Sequence, residues 1–124
     1  MSGVQPAEWA PHDSVWIGFP SAADLWLDDL DGAQAEVAAF VNAVDANGRG
    51  ETVRLVCANG LAEEAARRLV NETVEIVSAP FFDIWLRDTG PILVHADGMP
   101  LALDYKGNGW GGKYPSPSMM IWRA

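Results

Sequence analysis

The chain has 124 residues, 49% of them hydrophobic and 20% charged, with a mean hydropathy of +0.02; these are the proportions of a folded domain with one core, not of a disordered or bilayer-spanning chain. Acidic residues number 17 against 8 basic ones, a formal net charge of −9, and a field of that sign repels polyanions, which excludes nucleic acid and anionic membrane as partners while drawing in small cations. The single cysteine, Cys57, excludes an internal disulfide framework, and with only His12 and His95 beside it the chain lacks the ligands of a Cys/His zinc cluster.

The lone cysteine fits a reducing compartment. Residues 1–5 show no basic stretch leading into an apolar run, and no run reaches the roughly 18 apolar residues that cross a bilayer, so a cytoplasmic location is expected.

Val15-Trp16-Ile17-Gly18-Phe19 is β-branched and aromatic and is closed by Pro20, which predicts a short buried strand. Over residues 28–47, Leu30, Ala33, Val37, Phe40, Val41 and Val44 recur three or four apart and predict a helix burying that face. Asp28, Asp29 and Asp31 suit its N-terminal turn, and Asn47-Gly48 its stop. Residues 51–57 read as a strand with Val53, Leu55 and Cys57 on one side and Arg54 and Val56 on the other. Asn59 is placed to cap a helix over residues 60–70, with Leu61, Ala65 and Leu69 inward and the pairs Glu63/Arg67 and Glu64/Arg68 outside. A third strand covers residues 73–77 and ends before Pro80. Residues 92–95 and 101–105 form two strands joined through Asp97-Gly98, a hairpin dipeptide. The order β-α-β-α-β-loop-β-β predicts a mixed α/β or α+β fold.

Two segments carry chemistry. Phe81-Phe82-Asp83-Ile84-Trp85-Leu86-Arg87-Asp88-Thr89-Gly90-Pro91 packs three aromatic rings, two acids and an arginine into what reads as a loop, where solubility alone calls for small polar residues. Aromatic walls lower the local dielectric and strengthen the pull of a carboxylate such as Asp88 on a cation. A guanidinium matches a carboxylate through two parallel N–H donors, and its flat face suits stacking on Trp85. The same residues also fit a plainer role, with Arg87 and Asp88 neutralising neighbours and the rings serving as core. The second segment, Lys106-Gly107-Asn108-Gly109-Trp110-Gly111-Gly112-Lys113-Tyr114, holds four glycines between Gly107 and Gly112, whose backbone freedom allows positive φ or close approach to a ligand. It has neither phosphate-loop nor dinucleotide-fingerprint spacing, and a plain flexible turn explains it as well.

Together with Pro6-Ala7-Glu8-Trp9-Ala10-Pro11-His12 and Val15-Trp16-Ile17-Gly18-Phe19-Pro20, these segments resemble the agmatine deiminase and bacterial peptidylarginine deiminase family, in three ordered motifs over residues 6–115. The resemblance implies a pentein, a five-fold pseudosymmetric β/α propeller, of which this chain covers roughly the first two repeats. It implies hydrolysis of a guanidino group to a ureido group and ammonia by a cysteine nucleophile, a histidine acid/base and carboxylates that grip the cation. No metal or organic cofactor is implied. Asp88 takes the position of one such carboxylate, Trp85 resembles a substrate-lining tryptophan, and Trp110 joins them in binding substrate. The expected ligand is a small cationic guanidino compound such as agmatine.

The departures are equally specific. Cys57 matches no family nucleophile and reads as a small core residue, His12 and His95 carry no catalytic role, and residues 116–124 no longer follow the family. The expectation is therefore a deiminase portion over residues 1–115 with a divergent tail, inactive alone. Unpaired strand edges in such a portion favour self-association, and a noncatalytic guanidinium-binding or partner-completing domain, or a nonfunctional remnant, is the alternative.

Overall fold

The computed structural model describes residues 3–105 and 107–113. In chain order the elements are β1 (Gly3–Val4), β2 (Val15–Gly18), α1 (Ala23–Trp26), α2 (Leu30–Asp45), β3 (Val53–Cys57), α3 (Gly60–Leu69), β4 (Glu75–Ser78), α4 (Leu86–Thr89), β5 (Ile92–Ala96), β6 (Met99–Leu103) and a helical turn over Gly109–Gly112. The mixed α/β class expected from the pattern is what forms. Where composition alone suggested a single core, the chain divides into two compact units, one over Asp13–Leu86 and one joining Met1–His12 to Arg87–Ala124. The expected tail at 116–124, like Lys106 and Tyr114 of the glycine-rich segment, lies outside the described residues.

In the unit Asp13–Leu86, β3 lies between β2 and β4 and pairs with both in parallel, Ile17 opposite Leu55 and Leu55 opposite Ile76. Parallel pairing requires crossovers, and α2 and α3 supply them. Phe19, Val53, Leu55 and Cys57 pack with Ala38 and Val41 of α2 and Ala62 and Ala66 of α3 into one buried cluster.

Two helical faces differ from the predicted ones. In α2 the buried positions are Gln34, Ala38, Val41 and Asp45, while Phe40 is 59% exposed. In α3 the inward residues are Ala62 and Ala66, with Ala65 partly buried, whereas Leu61 is 81% exposed. Small residues at the contact let the helix axis approach closely, a gain that hydrophobicity ranking does not register. The outer pairs Glu63/Arg67 and Glu64/Arg68 form as expected, and Asn59 caps α3 by accepting from the Ala62 N–H at 2.9 Å. The helix α2 stops as expected before Gly48, with Ala46 already left-handed at φ 48°.

A buried carboxylate closes this unit. Asp45 Oδ2 accepts from Thr73 Oγ1 at 2.6 Å, Asn71 Nδ2 at 3.0 Å and the Gly48 N–H at 3.2 Å. These bonds join the end of α2 to the approach to β4. The Thr73 hydroxyl above all holds the Asp45 carboxyl below its ordinary range, against burial, which raises it.

On the other face of this sheet Gly18 is buried directly beneath Ile84, and a Cβ at Gly18 would stand 3.0 Å from Ile84 Cα. This close approach ties the segment leading to Trp85 onto the strand.

In the second unit β5 lies between β1 and β6 and pairs antiparallel with both. The predicted hairpin forms with Asp97 at φ 51° and Gly98 at φ 80°, the left-handed pair a tight two-residue turn requires. The two-residue β1 is too short to give a periodic signal and was not expected.

Candidate functional site

The site is built within the second unit, from α4 and the turn over Gly109–Gly112. The segment holding Asp88, expected as a loop, closes into the single helical turn α4; four residues are too few to show a helical period. Beside Asp88, the Arg87 guanidinium donates to the Glu8 carboxylate, an exposed pair. Arg87 is thereby matched to Glu8, and among the described residues no hydrogen bond or ion pair engages Asp88. The plainer role, in which Arg87 and Asp88 neutralise neighbours, thus forms for Arg87 with Glu8 but has no counterpart at the Asp88 carboxylate among the described residues.

Gly109–Gly112 is a helical turn of the opposite hand. Gly109 has φ 64°, Trp110 φ 56°, Gly111 φ 74° and Gly112 φ 82°. The Gly112 N–H donates to the Asn108 carbonyl at 2.8 Å, and the Gly111 N–H donates to Asn108 Oδ1 at 2.9 Å. Left-handed helix costs an L-residue roughly 1–2 kcal/mol because Cβ crowds the following carbonyl, whereas glycine has no such penalty. Three of the four positions are glycine, so the penalty falls on Trp110.

Asp88, Gly107, Asn108, Gly109 and Trp110 line one recess of about 210 Å³. That is below the roughly 300–1,000 Å³ of drug-sized pockets and suits a small planar group. Asp88 is solvent-exposed and Trp110 is 52% exposed, so the carboxylate works in a wetter setting than aromatic enclosure implied. Asp88 and Trp110 are brought to one recess; Trp85, just before α4, belongs to the unit Asp13–Leu86 and is 59% exposed. Sequence reasoning did not single out Asn108, although an asparagine two residues before a non-glycine inside a glycine run is the available signal for a side chain that fixes a turn.

Cys57 belongs to the core of the other unit. Burial first, then the nearby Glu63 charge, pushes its thiol up to about 11. His12 and His95 are both exposed, with His12 Nδ1 3.1 Å from the Ala10 carbonyl. Among the described residues no group of three or more His, Cys, Asp and Glu side chains is placed to hold a metal ion.

The model of the Porphyromonas-type peptidyl-arginine deiminase family matches residues 4–120. The chain belongs to that family. Its relatives include the agmatine deiminase of Stutzerimonas stutzeri, 40% identical over 110 residues that make up 87% of this chain and 29% of that protein. The agmatine deiminase of Medicago truncatula is 36% identical over 116 residues, 86% of this chain and 30% of the plant protein. In fold, the chain is similar to the substrate-bound C315S agmatine deiminase of C. jejuni, with a TM-score of 0.74 and 23% identity, covering 94% of this chain and 34% of that one. The chain spans less than a third of the length of the curated relatives it matches.

Proposed function

We propose that this chain supplies a guanidinium-holding wall of a guanidino-group deiminase, acting on agmatine (agmatine and water to N-carbamoylputrescine and ammonia) or on peptidylarginine. The observation that carries the reading is Asp88, unpaired among the described residues and sharing a recess with Trp110, in a chain of the peptidyl-arginine deiminase family. In this role Asp88 accepts two guanidinium N–H groups while Trp110 offers an aromatic face to the flat cation.

The chemistry then divides between residues. A resonance-stabilised guanidinium resists attack, so a thiolate adds to its central carbon, an acid protonates the departing nitrogen, and ammonia leaves. Water then adds to the same carbon and the carbon–sulfur bond breaks, releasing the ureido product and regenerating the thiol. Cys57 is unsuited to the first step: with its thiol near 11, about one in ten thousand is thiolate at pH 7, and it is buried in the core. The nucleophile and the acid/base histidine are therefore assigned to polypeptide other than residues 1–124, and this chain on its own binds without turnover. In the same reading residues 1–115 correspond to roughly the first two of five pentein-type repeats, no cofactor takes part, and the protein works in the cytoplasm on a small cationic substrate rather than on nucleic acid or membrane. Among the described residues no helix is long and apolar enough to cross a membrane. Self-association through exposed edges belongs to the proposal too, supported by Val4 on β1 and Met99 on β6, which are 67% and 69% exposed on the outer strands of the β1-β5-β6 sheet.

Calorimetric titration with agmatine tests the binding role. Saturable heat from the unmodified chain that falls at least tenfold in affinity on Asp88→Asn supports it; equal heats from both refute it. Sustained ammonia release from the purified chain, abolished by Asp88→Ala, would overturn the division of labour.

A further inference from the structure

The turn over Gly109–Gly112 raises a question of what selects its hand. Glycine populates left- and right-handed conformations about equally, so Gly109, Gly111 and Gly112 permit the turn without choosing it, and Trp110 at φ 56° and ψ 55° disfavours it. Among the described residues a Cβ at Gly111 or Gly112 would meet nothing within 4 Å. Two hydrogen bonds close across Trp110, and both end on Asn108: Oδ1 accepts from Gly111 and the carbonyl from Gly112. Asparagine is suited to this because its short amide mimics a backbone turn.

We infer that Asn108 is a positioning residue, its side-chain oxygen holding Trp110 in the left-handed conformation from which it lines the recess shared with Asp88. The inference rests on the guanidinium reading of that recess and adds to it what fixes the aromatic wall. Removing the Oδ1 acceptor releases the turn, and the fraction of molecules with Trp110 in place falls. Apparent affinity for a ligand that needs Trp110 falls by the same factor.

The full chain serves for the test, with agmatine as the probe and titration calorimetry beside NMR. The NMR readout is the strong intraresidue HN–Hα NOE that marks positive φ at Trp110. Asn108→Ala is expected to lose that signature and to bind agmatine about three- to tenfold more weakly. Asn108→Asp, which keeps an acceptor oxygen, is expected to retain the signature and bind at least as tightly as the original. Unchanged β5–β6 hairpin signals in both variants establish that the unit is folded; their loss in Asn108→Ala alone would overturn the local role in favour of a general structural one. Agmatine binding that survives Asn108→Ala undiminished, or a retained positive φ at Trp110, overturns the positioning role while leaving the Asp88 assignment intact. No agmatine binding by the unmodified chain overturns both, and the unmodified arm separates that failure from the first.

Discussion

Replacing Asp45 by asparagine or alanine tests the buried carboxylate that joins α2 to β4. Oδ2 of Asp45 accepts three hydrogen bonds, from Thr73, Asn71 and the Gly48 N–H. Bonds to a charged acceptor contribute about 1.5–3 kcal/mol each and neutral ones about 0.5–1.5 kcal/mol. An amide oxygen placed where Oδ2 stands keeps all three as neutral bonds, and burying an amide costs less than burying a carboxylate, so Asp45→Asn should cost about 1–2 kcal/mol. Asp45→Ala leaves three donors without their acceptor and should cost about 3–5 kcal/mol. The pH dependence has a definite sign. Because the native carboxyl titrates below the unfolded one, its stabilisation is fully present above the unfolded value of roughly 3.9 and disappears as pH falls through the native value. Urea unfolding followed by circular dichroism at pH 7 and at steps down to pH 3 should therefore show the gap between the original chain and Asp45→Asn narrowing toward acid. A gap that stays constant or widens, or an alanine cost under about 0.5 kcal/mol at pH 7, would refute the carboxylate's role.

Three further outcomes are expected. Gly18→Ala places a methyl 3.0 Å from Ile84 Cα and 3.2 Å from its carbonyl oxygen, so it should destabilise by about 1–3 kcal/mol in thermal melts; a change under a few tenths would show that the 81–86 segment yields freely. Cys57 should react with iodoacetamide about a hundredfold more slowly than an unperturbed thiol in the folded chain, and at the ordinary rate in urea; rapid labelling of folded protein would contradict its burial. Asn59→Ala should cost about 1 kcal/mol by removing the acceptor for the Ala62 N–H, and Asn59→Gly only a few tenths.

What the sequence made legible follows from where local chemistry is sufficient. The strand at Val15–Gly18, the cap at Asn59 and the turn at Asp97-Gly98 each follow from residue types within a few positions, and each forms. The buried faces of α2 and α3 did not, because the packing partner decides the phase: Ala62 and Ala66 go inward where Leu61 outranked them in hydrophobicity. Asp45 was invisible for a related reason. An acid in the last turn of a helix opposes the helix dipole, and the two side chains that make the placement favourable, Thr73 and Asn71, lie more than 25 positions away. In the candidate site, the segments holding Asp88 and Trp110 were legible by residue type, but the left-handed turn at Trp110, closed by two hydrogen bonds to Asn108, was signalled only by an asparagine in a glycine run.

The charge distribution revises how the recess attracts a cation. Between residues 13 and 86 lie 13 acidic and 4 basic residues, so the whole net charge of −9 belongs to that unit. The unit that holds the recess has 4 acidic and 4 basic residues and is neutral on its own. A general acidic field, the first reason to expect a cationic ligand, is thus not a property of the unit carrying the site. Within that unit selectivity comes from contact: one carboxylate at Asp88, one aromatic face at Trp110, and a recess of about 210 Å³. At physiological ionic strength such contact is screened far less than attraction beyond about 8 Å. Binding of agmatine should accordingly depend steeply on Asp88 and weakly on charges elsewhere, so that Asp28→Asn leaves the calorimetric affinity within twofold while Asp88→Asn removes most of it. Equal losses from the two substitutions would show that the overall field, and not the carboxylate beside Trp110, holds the cation.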